Sequence, residues 1–240
     1  MTVALSIAGV SKRFSGVVAV NDVSFDVAPG TVVGIIGPNG SGKSTLFNLA
    51  TGILRPDLGM VSYRGERIDH LPLYQIARKG IGRTYQAVKI FRDLPVWSNF
   101  EIAAMGRRLS DWERRGREWL DRFGLAHLSD ALSDSLSIGQ QRLLELAMNL
   151  VAAPDLLMLD EPLAGVNPVV RDTIAEVVAD LRRSGKTFVI IEHHMNFIMG
   201  LCDTIVVMDH GEKIAEGPPT AIRGDARVAD ALLGRGAARL

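Results

Sequence analysis

A chain that carries Gly37-Pro38-Asn39-Gly40-Ser41-Gly42-Lys43-Ser44-Thr45 has few folds open to it. The run fills the pattern G-x-x-x-x-G-K-S/T at every required position, a pattern that works as a loop between a strand and a helix. Its glycines let the backbone wrap close to phosphate groups and turn several N–H groups inward. The helix that follows presents its positive end to the same anion. Lys43 adds a mobile cation for the β- and γ-phosphates, and the Ser44 hydroxyl is placed to ligate Mg²⁺. The flanks agree, because Thr31-Val-Val-Gly-Ile-Ile36 reads as a buried strand and Leu46-Phe-Asn-Leu-Ala50 as the start of a helix. A glycine-rich turn with a surface lysine would need no such context. The run predicts a nucleoside triphosphate site on an α/β scaffold.

The 240 residues allow one large α/β domain or a core with a subdomain. Lysine plus arginine and aspartate plus glutamate each number 27, so the net charge is zero. That balance argues against a dedicated nucleic-acid binder, which is usually basic. The single cysteine, Cys202, excludes an internal disulfide and suits a reducing compartment. It reads as a small apolar residue behind a helix around Met195–Leu201. No apolar run approaches the ~18 residues of a membrane span. Met1-Thr-Val-Ala-Leu-Ser-Ile lacks a basic n-region and reads as a strand and not a signal peptide. The expectation is a soluble, cytoplasmic chain.

Residues 1–36 alternate short apolar strands, Leu5–Val10, Val17–Val20, Val23–Val27 and Val32–Ile36, with turns such as Pro29-Gly30. A hairpin is expected from Met60–Tyr63 and Arg67-Ile68 around Arg64-Gly65-Glu66. Residues 90–152 change character: they hold all three tryptophans and a charged helix, Asp111–Phe123, and read as a helical subdomain inserted in the core. The core comprises residues 1–89 and 153–240. Leu156–Leu159, Phe188–Ile191 and Ile205–Met208 are continuous apolar strands. Pro168–Arg183 is a helix with Ile174, Val177, Val178 and Leu181 on one face. Uninterrupted apolar strands separated by amphipathic helices predict a mainly parallel sheet covered on both faces. The tail beyond Gly217 carries two short helical stretches.

Leu156-Leu-Met-Leu-Asp160-Glu161 marks a second chemical site. Two carboxylates at the end of a buried strand are costly unless they meet a cation, donors or water. At a strand's C-terminal end they face the ligand crevice of such a sheet. Asp160 is the expected Mg²⁺ ligand, and Glu161 the group that polarises an attacking water.

Leu136-Ser137-Ile138-Gly139-Gln140-Gln141 resembles the LSGGQ signature of the ATP-binding-cassette (ABC) ATPases, departing at Ile138. Ser137, the Gly139 N–H and Gln140 sit at the start of a helix, Gln140–Ala152, which suits an anion. The resemblance runs from about Ile7 to Gly234 and treats residues 1–240 as one ATP-binding domain. It implies an N-terminal antiparallel β subdomain, a P-loop core and a helical insert. It also implies that the signature meets the γ-phosphate held by a second chain. Gln86, in Arg83-Thr84-Tyr85-Gln86, matches the glutamine that senses Mg²⁺ and the attacking water. His193, in Ile191-Glu192-His193-His194-Met195, matches the histidine that contacts the γ-phosphate, with His194 a bystander. Phe14 matches the aromatic that stacks on adenine. The stretch Leu163-Ala164-Gly165-Val166-Asn167-Pro168 carries Asn167 where many members have Asp. No guanine-reading Asn-Lys-x-Asp motif occurs, so ATP is the expected nucleotide.

The chain most resembles the ATPase subunits of branched-chain amino-acid importers and the related urea or amide importers. The stretches that carry this are Arg83–Gln86, Phe91-Arg92-Asp93-Leu94, Ala164–Pro168, Glu192–Met195, Ile214-Ala-Glu-Gly217 and the tail near Leu232-Leu233-Gly234. Such subunits lie on the inner face of the cell membrane against transmembrane permease subunits. They pair with a second ATPase subunit and serve a solute-binding protein outside. Lipopolysaccharide-export ATPases share the short length and the Ala-Gly-Val stretch. A soluble ABC ATPase acting on ribosomes or DNA is the reading from another class; such proteins usually carry two cassettes, long coiled coils or basic arms. Val88–Trp97 is the expected docking segment for the membrane subunit. Phe91, Leu94 and Trp97 are the residues to be divided between docking and internal packing.

Overall fold

The computed structural model describes residues 3–105 and 109–233, so Met1, Thr2 and Gly234 of the readings above lie outside the described residues. The chain opens with β1 (Leu5–Phe14) and β2 (Val17–Val27), joined by a two-residue turn. Ser15 and Gly16 both have positive φ there, 43° and 98°, the left-handed geometry that matches strand twist in tight hairpins. β2 is one strand where the sequence suggested two. Asn21-Asp22 looks like a turn, but Asp22 takes a φ of 49° and its N–H is accepted by the Ser11 hydroxyl at 2.9 Å. The interruption becomes a bulge and the strand continues.

β3 (Val32–Ile36) leads through the glycine-rich loop into α1 (Lys43–Ala50), followed by β4 (Leu58–Tyr63) and β5 (Glu66–Arg67). Next come α2 (Leu73–Arg78) and β6 (Ile81–Arg83), neither read from the sequence. The helical stretch follows as α3 (Val96–Met105), α4 (Trp112–Arg122) and α5 (Ile138–Val151). The order then runs β7 (Leu156–Asp160), α6 (Pro168–Arg183), β8 (Thr187–Ile191), α7 (Met195–Leu201), β9 (Thr204–Asp209), β10 (Glu212–Gly217), α8 (Pro219–Arg223) and α9 (Ala226–Leu233).

Two sheets result. An antiparallel sheet runs β2-β1-β4-β5, and a six-stranded sheet runs β10-β9-β3-β8-β7-β6. In the second, β3 pairs in parallel with β8 and β9, and β7 with β6 and β8; only β10 is antiparallel. The parallel sheet expected from the apolar runs is present. Alternate residues of each strand serve its two faces. Val33, Ile35, Leu156, Met158, Val189 and Ile191 join the antiparallel sheet and α1 in one apolar cluster. Val32, Ile36, Leu157, Leu159, Phe188 and Ile190 join the helices in another, which is continuous with Phe100, Leu120 and Leu144. Trp97 packs inside the helical layer, 5.4 Å from Trp112 and 6.0 Å from Phe100 between ring centres. Ile174, Val177 and Val178 of α6 are buried as their spacing predicts.

Candidate active site

The glycine-rich loop is held by close backbone packing. Gly42 has a φ of 96°, and a Cβ there would come within 2.3 Å of the Ala19 carbonyl oxygen; at Gly37 it would come within 2.1 Å of the Met208 carbonyl. α1 has no side-chain cap and no acid in its first turn, so its leading N–H groups stay available to an anion. Lys43 is buried, and its Nζ donates to the carbonyls of Gly37 (2.9 Å) and Pro38 (2.8 Å). Burial pulls its ammonium below the usual lysine range, against the opposing charges of Glu161 and Asp160. The Lys43 ammonium thus lies within electrostatic reach of the two carboxylates at the end of β7. Phe14 ends β1 and is 43% exposed, with the Lys12 ammonium 5.8 Å from its ring centre.

Asp160 is buried at the end of β7, where desolvation pushes its carboxyl up and Arg83 opposes that shift. The Arg83 Nη2 donates to Asp160 Oδ2 at 3.1 Å. The same guanidinium lies 4.9 Å from the ring centres of both Phe47 and Tyr85. Glu161 turns out of the strand with a φ of 48°, a costly backbone state for a side chain of this kind. Its two carboxylate oxygens meet two separate loops. Oε1 lies 2.8 Å from His193 Nε2, and Oε2 accepts from Gln86 Nε2 at 3.1 Å. Gln86, Glu161 and His193, which the sequence singled out separately, therefore meet at one point. His194 is the N-cap residue of α7, with no bond to Glu161 among the described ones.

Ser137 is the N-cap of α5, which begins at Ile138 and so two residues earlier than the sequence suggested. The Ser137 hydroxyl accepts the Gln140 N–H at 3.3 Å, and Gln140 Oε1 accepts the Ser137 N–H at 2.9 Å. This reciprocal cap is why the helix starts there. Gly139 lies in the first turn, and Ile138 is exposed. Ser137 and Gln140 thus bond to each other, and the described hydrogen bonds do not link them to the loop at 37–45. Asn167 caps α6 through Oδ1, which accepts the Val170 N–H at 3.0 Å.

A family model described as "ABC transporter" matches residues 20–164. This chain belongs to the ABC transporter family. It is 38% identical to the high-affinity branched-chain amino acid transport ATP-binding protein LivG of Escherichia coli strain K12, across 96% of this chain and 97% of that one. It is 36% identical to the lipopolysaccharide export system ATP-binding protein LptB of the same strain, again across 96% and 97%. A solved ATP-binding cassette of an ABC transporter in its ADP conformation superposes with a TM-score of 0.88 at 31% identity, covering 98% of this chain and 100% of that one.

Within this ABC ATPase, two residues that sequence reading passed over support the site. Arg83 opens the Arg83–Gln86 stretch, yet its reach to Asp160 exists only in the folded chain. Glu192 is buried and bridges two loops: Oε1 accepts the Leu163 N–H at 2.7 Å and Oε2 the His193 N–H at 3.0 Å. An acid ending the uninterrupted apolar strand before His193 was the available signal.

Proposed function

We propose that this chain is the ATP-hydrolysing subunit of a membrane transporter, an importer of branched-chain amino acids or related small solutes. The observation that carries the enzymatic part is Glu161, held between Gln86 and His193 beside the loop that bears Lys43. In this reading the backbone N–H groups of Gly37–Thr45 and the Lys43 ammonium bind the phosphates, exchanging loop carbonyls for phosphate oxygens. Phe14 stacks on adenine. Glu161 orients and polarises the water that attacks the γ-phosphorus, and ADP departs as the leaving group. His193 and Gln86 hold the carboxylate in place. Ser44, Asp160 and Gln86 offer a hydroxyl, a carboxylate and an amide oxygen, a hard donor set that suits Mg²⁺. Bound there, Mg²⁺ would neutralise charge on the β- and γ-phosphates.

Ser137, Gly139 and Gln140 are read as the contact to ATP held by a second subunit, the same chain or a paralogue. The likeness to LivG supports solute import, with permease subunits as direct partners and a solute-binding protein as an indirect one. Among the described residues no helix is long and apolar enough to cross a membrane, which is compatible with a subunit bound peripherally to the inner membrane face. The likeness to LptB supports export of a lipid as the second reading. Neutral net charge and a short helical insert favour either over a nucleic-acid machine.

The permease is proposed to dock on the 88–97 segment, Phe91 above all, and on a cleft of about 370 Å³ that the preceding residue Tyr85 lines together with Leu73, Tyr74, Ala77 and Ala103. Leu73, Tyr74 and Phe91 expose apolar surface, Phe91 to 47%, whereas Leu94 is half-buried and Trp97 is a packing residue. Glu161→Gln tests the enzymatic core. ATP binding should persist, turnover should fall about 10²–10⁴-fold, and ATP-bound dimers should accumulate on sizing. Turnover at the wild-type rate would sink the assignment. Phe91→Glu tests docking: solute uptake should fall while the ATP turnover of the isolated subunit stays level, and undiminished uptake would remove Phe91 from the surface.

A further inference from the structure

Residues 84–89 carry Gln86 between β6 and α3 without a strand or helix of their own. Their backbone polar groups therefore need partners from elsewhere. One ion pair on α5 supplies four of them. Arg142 donates to the carbonyls of Tyr85 at 2.7 Å and Gln86 at 2.8 Å. Glu145, one turn further along, accepts the N–H groups of Tyr85 at 3.3 Å and Lys89 at 3.1 Å. Arg142 and Glu145 close on each other at 3.0 Å and are 4% and 2% exposed. Asn149, on the same helix, accepts the Arg83 N–H at 3.2 Å. Burying two charges costs several kcal/mol per ion, and an apolar pair of similar size often serves stability as well or better. What an apolar pair cannot supply is directional bonding to four backbone groups in one register.

We propose that Arg142 and Glu145 are a positioning pair that aims the Gln86 amide at Glu161 and ties that contact to the Ser137 end of α5. Ser137 caps the helix and Arg142 lies in its second turn, so the cap and the 84–89 segment form one unit. The inference rests on the roles given above to Gln86, Glu161 and Ser137.

The test compares Arg142→Met/Glu145→Leu, Arg142→Lys, Glu145→Gln and Gln86→Ala in the full chain, reading ATP affinity, kcat and melting temperature. The apolar double variant should bind ATP as the wild type does while its kcat falls about 10–100-fold, the scale of lost supporting contacts at a reactive site. Arg142→Lys should recover part of the loss, since lysine keeps the charge but not the two-pronged fork. Adding Gln86→Ala to the double variant should cost little more, because both changes remove one interaction. Independent losses that multiply, or a kcat that falls only in step with ATP affinity and melting temperature, would overturn the pairing. Should the double variant fail to fold, Glu145→Gln gives the same kcat comparison with the shape retained. Gln86→Ala and Glu161→Gln at full turnover would overturn the site itself, and the pair with it. Loss of turnover in those two with a fully active pair variant would overturn the pair alone.

Discussion

The Glu161 corner and the Ser137 cap differ in how their polar groups are satisfied. At Glu161 three segments far apart in sequence converge, and each carboxylate oxygen meets a different loop. At Ser137 the bonding closes within three residues, hydroxyl to Gln140 N–H and Gln140 amide back to Ser137 N–H. The first arrangement exists only because the chain is folded; the second would form on an isolated helix. One is a junction of three segments that only the fold brings together. The other is a self-contained helix start, read above as the contact to a second subunit's nucleotide.

The largest effect that could break this contrast lies at Lys43. Lys43→Ala removes the buried ammonium and two charge-assisted bonds, so ATP affinity should fall about a thousandfold in a nucleotide titration. Unchanged affinity would mean the loop binds phosphate by its backbone alone.

Ser137→Asp separates the cap from its proposed second role. Aspartate caps a helix as well as serine, so the melting temperature should hold. A negative charge facing the neighbour's phosphate should cost several kcal/mol, lowering turnover about a hundredfold and abolishing ATP-driven dimers on sizing. Wild-type turnover would leave Ser137 as a helix cap and nothing more.

Phe14→Ala sharpens the picture at the outer edge of the loop. Loss of one base-stacking face is worth about 1–3 kcal/mol, so KM for ATP should rise roughly tenfold with kcat retained. Phe14 is 43% exposed, and the fold should lose little. An unchanged KM would return it to strand packing.

The smallest change is expected at Ile138→Gly, which restores the commoner signature residue. The exposed side chain bears on no cap bond, so turnover should stay within about threefold, and the added backbone freedom should cost about 0.5–1 kcal/mol in a melting experiment. A large gain in turnover would show that Ile138 obstructs the neighbouring nucleotide.

Much of the scaffold was legible because its signals are local. Val32–Ile36 and Leu156–Leu159 are apolar without interruption since both faces of the parallel sheet are covered. The misses have physical reasons too. β6 has only three residues, one a glycine, and becomes a strand because β7 offers it partners. Trp97 and Phe91 look equally apolar along the chain, yet one packs against Trp112 and the other is exposed.

By itself the sequence determined the glycine-rich loop between β3 and α1 and the adjacent acids Asp160 and Glu161 at the end of β7, because there the residues concerned are neighbours and backbone conformation is a local property. Only the tertiary structure decided that Gln86 and His193 share Glu161, that Arg83 pairs with Asp160, and that Arg142 and Glu145 fasten the 84–89 segment. Those partners lie roughly 30 to 80 positions apart along the chain, except where Arg142 meets Glu145 within α5. Which of them meet is set by the strand order β8-β7-β6 and by how α5 packs on the sheet, and no stretch of residues records that alone.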